Sequence, residues 1–137
     1  MLLIPKKTKF KKYQKGRLAN CINKPLTLET TTKNNLILKT LKFGVLHSKE
    51  IITIKQTIHK ILKKKAKIHM KIFTHLPMTK KPLEVRMGKG KGNVSKWIAK
   101  IKAGTILCEI ETFEKNKAIA ALKRAQYKIK IPTQIKF

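Results

Sequence analysis

The sequence predicts an α+β protein. Two stretches, roughly 49–66 and 114–128, carry the three- and four-residue apolar spacing of amphipathic helices. Several shorter stretches alternate apolar and polar residues, as half-buried strands do. Helices and strands mix without the strict βαβ repetition of a parallel sheet. The length of 137 residues suits one domain. A domain near this size buries roughly 68–70% of its unfolded surface, enough for a real core. A hydrophobic content of 42% argues against wholesale disorder.

The elements follow in order. Residues 5–17, PKKTKFKKYQKGR, set Lys6, Lys7, Lys9, Lys11, Lys12, Lys15 and Arg17 around Phe10 and Tyr13. No helical apolar stripe runs through them, so residues 1–17 read as an extended basic arm and 18–137 as the domain. The two rings can stack on bases or anchor the arm to the domain, and the sequence leaves both open. Residues 18–35 are polar, with TTTKNN at 30–35 as a loop. LILKTLKFGVL, 36–46, reads as one or two short strands broken near Gly44. Ser48 is the predicted N-cap of the first helix, and Glu50 falls in its first turn, where the dipole favours an anion. This helix sets Ile51, Ile54, Ile58, Ile61 and Leu62 on one face, and Lys60, Lys63, Lys64 and Lys67 on the other.

KIHMKIF, 67–73, alternates as a strand with Ile68, Met70 and Ile72 on one side. THLPMTKKP, 74–82, reads as turn and loop because Pro77 and Pro82 punctuate it. VSKWIAKIKAG, 94–104, is a strand: Trp97, Ala99 and Ile101 point one way, and Lys96, Lys100 and Lys102 the other. Gly104 marks a turn, across which TILCEIE, 105–111, is predicted to pair back as a hairpin. The second helix turns Ala118, Ala121, Leu122 and Ala125 inward, a small apolar face suited to close packing on a sheet. IKIPTQIKF, 129–137, ends the chain as strand or tail.

Charge is the unusual feature. There are 34 Lys+Arg against 6 Asp+Glu, a net charge of +28. The acids are Glu29, Glu50, Glu84, Glu109, Glu111 and Glu114, and there is no Asp. Such a chain repels itself unless it lies against a polyanion. Nucleic acid is the first candidate and an anionic membrane the second. Only Arg17, Arg86 and Arg124 are guanidinium. Lys suits many loose phosphate contacts, whereas Arg suits planar bidentate recognition, so backbone neutralisation is favoured over base readout. An A+T-rich coding bias accounts for the ratio of Lys to Arg, but not for the net charge.

Several function classes are disfavoured. Cys21 and Cys108 stand alone and His47, His59, His69 and His75 are scattered, so no zinc site or other metal site is predicted. Metal-dependent phosphodiester cleavage wants clustered carboxylates. Glu109, Glu111 and Glu114 sit at a strand end and a helix start without Asp or a nearby His in sequence. No enzyme, catalytic residue or cofactor is expected. No apolar run approaches the ~18–20 residues of a membrane span. Functional-looking sequence begins at residue 5, so no cleavable presequence is expected.

The most distinctive stretch is PLEVRMGKGKGNVSKW, 82–97. Gly88, Gly90 and Gly92 alternate with Lys89 and Lys91. A P-loop needs GxxxxGK[ST] between a strand and a helix. Here Asn93 follows Gly92 and a strand comes next, and GKGKGN has the wrong spacing for a dinucleotide site. The remaining reading is a hairpin-like loop that carries Arg86, Lys89 and Lys91 into a polyanion, with glycine allowing close backbone approach.

AKIHMKIFTHLPMTKKPLEVRMGKGKGNVSKWIAKI resembles the bacterial-type large-subunit ribosomal protein L-sixteen family. The basic arm resembles that family's N-terminal arm, and GTILCEI with the alanine-rich helix resembles its C-terminal third. The resemblance covers most of the chain. It implies a compact two-layer α+β sandwich of mixed or antiparallel strands with two main helices, a basic arm and a glycine-rich loop. It implies a structural constituent of the large ribosomal subunit that binds large-subunit rRNA. Its loop, here Arg86, Met87, Gly88, Lys89, Gly90, Lys91, Gly92 and Asn93, would face aminoacyl-site tRNA near the peptidyl-transferase centre. The arm lysines and Lys60, Lys63, Lys64 and Lys67 would contact rRNA. Neighbouring large-subunit proteins are the implied protein partners, with no membrane and no homo-oligomer.

Residues 18–47 depart from the family's glycine-rich pattern, with only Gly44 remaining. That divergence and the A+T-biased composition suggest a protein of the mitochondrial matrix, encoded in the organelle genome; the cytoplasm of an A+T-rich bacterium is the alternative. The runner-up function is a cationic membrane-surface protein. Only helix 49–66 supports it, and that helix lacks interfacial Trp.

Overall fold

The computed structural model describes residues 3–14, 16, 35–63, 65–88 and 90–136. Seven strands and two helices appear there, in the order β1 (Asn35–Thr40), β2 (Gly44–His47), α1 (Ser48–Leu62), β3 (Lys67–Met70), β4 (Leu76–Lys80), β5 (Asn93–Ile101), β6 (Ile106–Glu111), α2 (Lys115–Gln126) and β7 (Thr133–Lys136). They make two sheets, β3-β6-β1-β7 and β2-β5-β4. Every pairing is antiparallel, which settles the mixed-or-antiparallel alternative and bears out the α+β class.

One apolar cluster joins the elements. It takes Leu36 and Leu38 from β1, Leu46 from β2, and Ile51, Ile54, Ile58 and Leu62 from α1. Ala99 and Ile101 of β5, and Leu107, Cys108 and Ile110 of β6, enter the same cluster. Fully burying a Leu or Ile side chain contributes roughly 1.5–3 kcal/mol, so the aliphatic face of α1 is a main source of stability. The alanines of α2 pack chiefly on α1 rather than on a sheet, correcting the sequence expectation. Small side chains let two helices approach as readily as a helix and a sheet.

The helix ends differ from the sequence reading. The N-cap of α1 is His47, not Ser48. The Glu50 carboxylate accepts a hydrogen bond from the His47 N–H at 2.9 Å, satisfying a donor that the first turn leaves open. The helix stops at Leu62, four residues short of expectation, because Lys63 takes φ 52 and donates its N–H to the His59 carbonyl at 2.8 Å. At α2 the Glu114 carbonyl accepts the first helical bond, from the Ala118 N–H at 3.1 Å.

Two strand predictions fail for physical reasons. Residues 76–80 form β4 rather than a loop, with Pro77 opposite Trp97. β4 is an edge strand, where a proline's missing N–H breaks no ladder. Secondly, β5 and β6 do not pair as a hairpin. β5 is central, with β2 on one edge and β4 on the other, so no edge is free for β6. β6 instead runs between β1 and β3 in the other sheet. The chain changes sheets at Gly104, φ 83, whose N–H donates to the Thr40 carbonyl at 2.7 Å. Buried Thr40 also donates its hydroxyl to the Lys102 carbonyl at 2.9 Å, holding the turn.

Candidate nucleic-acid interface

The β4–β5 hairpin ends in the glycine-rich loop, residues 81–92. Arg86, Met87, Gly88, Gly90 and Lys91 are exposed, Gly92 is partly covered, and exposed Asn93 opens β5; Lys89 lies outside the described residues. The glycines have different reasons to be there. Gly88 (φ 111) and Gly90 (φ 74) occupy the left-handed region with nothing near a hypothetical Cβ, so their requirement is conformational. Gly92 is steric: a Cβ there would stand 2.6 Å from the Lys80 carbonyl oxygen and 2.9 Å from the Lys81 nitrogen. Lys81 also donates its ammonium to the Gly88 carbonyl, folding the loop on itself.

The basic arm reaches this loop. At its start Leu3 packs against the core, and the Thr74 hydroxyl donates to the Leu3 carbonyl. Lys6, Lys7, Lys9, Lys11 and Lys12 follow, all exposed. Lys9 lies 5.7 Å from the centre of the Phe10 ring, a cation–π contact within the arm. Lys12 Nζ then donates to the Lys91 carbonyl at 2.8 Å, and Lys91 Nζ donates to the Tyr13 carbonyl at 2.7 Å. Farther on, Lys100 Nζ of β5 lies 3.4 Å from the Gly16 carbonyl. Lys15 and Arg17 lie outside the described residues. No local pattern signals that the arm and loop meet, because the bonded residues are 78 and 79 positions apart.

The other predicted rRNA contacts sit elsewhere, where α1 ends and β3 begins. Lys60 and Lys63 are exposed in the last turn and C-cap of α1, and exposed Lys67 opens β3. Lys64 lies outside the described residues. Their neighbour Lys65 is already engaged, 3.1 Å from Glu114.

The carboxylates explain where positive charge remains unneutralised. Glu109 meets Lys71 at 3.1 Å, Glu111 meets His69 at 3.6 Å, and Glu114 meets both Lys65 and Lys117. Hydrogen bonds from Lys117 and Lys65 hold the Glu114 carboxyl below its ordinary range. Of the three acids that a nuclease would need, Glu109 and Glu114 are thus paired with lysines of this chain and Glu111 lies beside His69. Among the described residues no group of three or more His, Cys, Asp and Glu could hold a metal ion. None of the described arm or loop lysines has a carboxylate partner. Cys108 is buried, and burial first, then the charge of Glu109, pushes its thiol up to about 12, so it is an inert core group. Cys21 lies outside the described residues.

A closed α+β core whose described arm and loop lysines have no carboxylate partner defines a strongly cationic domain. The sequence profile described as "Ribosomal protein L16p/L10e" matches residues 5–136, and the chain belongs to that family. Its relatives are structural proteins of the large ribosomal subunit, not enzymes. Large ribosomal subunit protein uL16c of Euglena longa is 40% identical over 134 residues, covering 98% of this chain and 97% of that protein. Large ribosomal subunit protein uL16 of Wigglesworthia glossinidia brevipalpis is 41% identical over 133 residues, 96% of this chain and 94% of its own length. The uL16 of Acinetobacter baylyi is 39% identical over 134 residues, with 98% and 96% covered.

Proposed function

We propose that this chain binds large-subunit rRNA through its arm and helps position aminoacyl-tRNA near the peptidyl-transferase centre through its loop. The observation that carries the reading is the meeting of arm and loop lysines that, among the described residues, are not ion-paired to a carboxylate. Lys6, Lys7, Lys9, Lys11, Lys12, Lys15 and Arg17, with Lys60, Lys63, Lys64 and Lys67, would neutralise rRNA phosphates. Arg86 through Asn93 would form the tRNA-facing loop, where glycine admits the backbone between two RNA surfaces without side-chain bulk. Peptide transfer itself would belong to RNA. Residues 1–17 act as the arm and 18–137 as one rRNA-binding domain, working as a monomer beside neighbouring large-subunit proteins.

We place this ribosome in the mitochondrion, on the A+T-biased composition and the divergence of residues 18–47. The membrane-surface alternative loses its one support, because Ile51, Ile54, Ile58 and Leu62 of α1 are buried in the core. No helix among the described residues is long and apolar enough to cross a membrane. The test is sedimentation: the tagged chain, expressed in its own cells, is followed through mitochondrial fractionation and a sucrose gradient. Co-migration with mitochondrial large subunits is the expected result. Migration away from large subunits sinks the ribosomal role, and co-migration with non-mitochondrial subunits sinks only the compartment.

A further inference from the structure

The crossed pair of hydrogen bonds between arm and loop has an odd energetic position. Lys12 donates to the carbonyl of Lys91, while Lys91 donates to the carbonyl of Tyr13, the residue after Lys12. Both bonds are exposed. An exposed lysine–carbonyl bond gains little over hydration, and holding a long side chain costs rotamer freedom. The crossing also brings two cationic side chains alongside one another, and among the described residues neither ammonium is ion-paired to a carboxylate. In the free protein it is therefore marginal. A phosphate group changes this balance. Each ammonium has three donors and gives one to a carbonyl, which leaves two on each for phosphate oxygens. A phosphodiester that meets both Lys12 and Lys91 would offset their charge and favour both bonds at once.

The surrounding structure limits how the loop can answer. Gly92 sits against the backbone of Lys80 and Lys81, which fixes the chain just beyond Lys91. The arm is fixed at its other end, where Leu3 packs on the core. The crossing thus links a loop held at its root to an arm held at its start.

We infer that Lys12 and Lys91 form a phosphate-closed clasp, so that RNA bound along the arm orders the glycine-rich loop. Lys12 is a positioning residue for the loop as well as a phosphate contact. This rests on the RNA-binding reading above and adds coupling between its two parts. Coupling in binding is reciprocal: loop contacts must order the arm to the same extent.

Hydrogen exchange of the full chain, with and without saturating poly(U), tests the clasp. Poly(U) should slow exchange of the amides of residues 83–92 in the wild type. Lys12→Gln should lose about two- to tenfold of that protection, the range one modest hydrogen bond sets. Lys7→Gln removes the same charge from the arm without a loop contact, and should retain the protection. Lys91→Gln should in turn lose protection at residues 11–14. Equal loop protection in the Lys12→Gln and Lys7→Gln proteins overturns the clasp while leaving RNA binding intact. Failure of the wild type to bind poly(U) at low salt overturns the RNA reading and the clasp together.

Discussion

Lysines in two regions of this protein keep different company. Just before and after β3 and at the start of α2, Lys65, Lys71 and Lys117 each lie within 3.1 Å of a glutamate oxygen. On the arm and loop, Lys12, Lys81 and Lys91 bond only backbone carbonyls. A carboxylate neutralises a lysine, whereas a carbonyl only aims it. The first region holds its charge internally; the second keeps it for an outside anion. The net charge of +28 is therefore not spread evenly in its consequences. The difference separates lysines that serve the fold from lysines free to serve a partner.

The largest effect expected from this contrast is salt dependence. Neutralising roughly 6–10 phosphates should lower affinity for large-subunit RNA by on the order of 10³–10⁵ between ~50 and ~200 mM salt. Replacing Lys7, Lys11 and Lys12 with Gln should flatten the logarithmic salt slope by about 0.7–0.9 per residue. Replacing Lys65, Lys71 and Lys117 should leave it unchanged. Filter binding across a salt series reads this directly, and equal flattening by both triple variants would erase the distinction.

Next comes the loop itself. Arg86, Lys89 and Lys91 replaced by Ala would remove up to three charge-assisted contacts, each worth roughly 1.5–3 kcal/mol when well formed and less when solvated. Subunits carrying the triple substitution should assemble, but accommodate aminoacyl-tRNA at least about tenfold more slowly, the change that ~1.4 kcal/mol produces. An unchanged accommodation rate on purified ribosomes would confine the loop to rRNA anchoring or to solvent.

How much of this was legible in the sequence depends on whether the cause is local. Both helices were readable, because Ile51, Ile54 and Ile58, and Ala118, Ala121 and Ala125, repeat at helical spacing. β4 was disguised by Pro77, since edge position is a property of the whole sheet. The β5–β6 hairpin was misread because proximity in sequence suggested pairing, while β2 and β4 had already filled both edges of β5. Chemistry of the loop was visible in GKGKGN, but its contact with the arm was not. No local pattern encodes a bond between Lys12 and Lys91. Gly92 is the mixed case: its presence drew attention, but its steric cause lies in the backbone of β4.

That case yields the third prediction. Gly92→Ala places a Cβ against backbone atoms that cannot rotate away, and should cost roughly 1–3 kcal/mol as overpacking does. Gly90→Ala meets open space, so its cost is confined to the left-handed φ of 74, at the low end of about 1–2 kcal/mol. Thermal melting should fall further for Gly92→Ala than for Gly90→Ala. Equal melting temperatures would mean that the loop root is not held by β4.

Beneath the carboxylate-bearing region, Cys108 offers a pH test of burial. Its thiol sits at about 12 in the fold against 9.0 when unperturbed. The folded value is the higher, so its contribution is complete below the unfolded value and is lost as pH rises toward the folded one. Between those limits the unfolded chain releases a proton that the native chain keeps, and stability falls by about 1.4 kcal/mol per pH unit. Cys108→Ala should be less stable throughout but lack that component of the slope. Urea unfolding across the alkaline range compares the slopes, and parallel ones would show the thiol to be solvated.

The smallest effect sharpens the comparison most. Glu109 has a side chain only 12% exposed, whereas its partner Lys71 is 51% exposed. Half-exposed pairs contribute little, typically ~0.2–1 kcal/mol, since water and salt screen them and the long side chain loses freedom. A double-mutant cycle with Lys71→Gln and Glu109→Gln should return a coupling in that range by chemical unfolding. The same variants separate structural from RNA-directed charge. Lys71→Gln removes a lysine already neutralised, so RNA affinity should hold. Glu109→Gln frees that lysine, so affinity should rise slightly at low salt and lose the gain as salt increases. A fall in affinity for Lys71→Gln comparable to that for Lys12→Gln would show that the ion pair opens to RNA, and that a nearby glutamate is no guide to which lysines bind it.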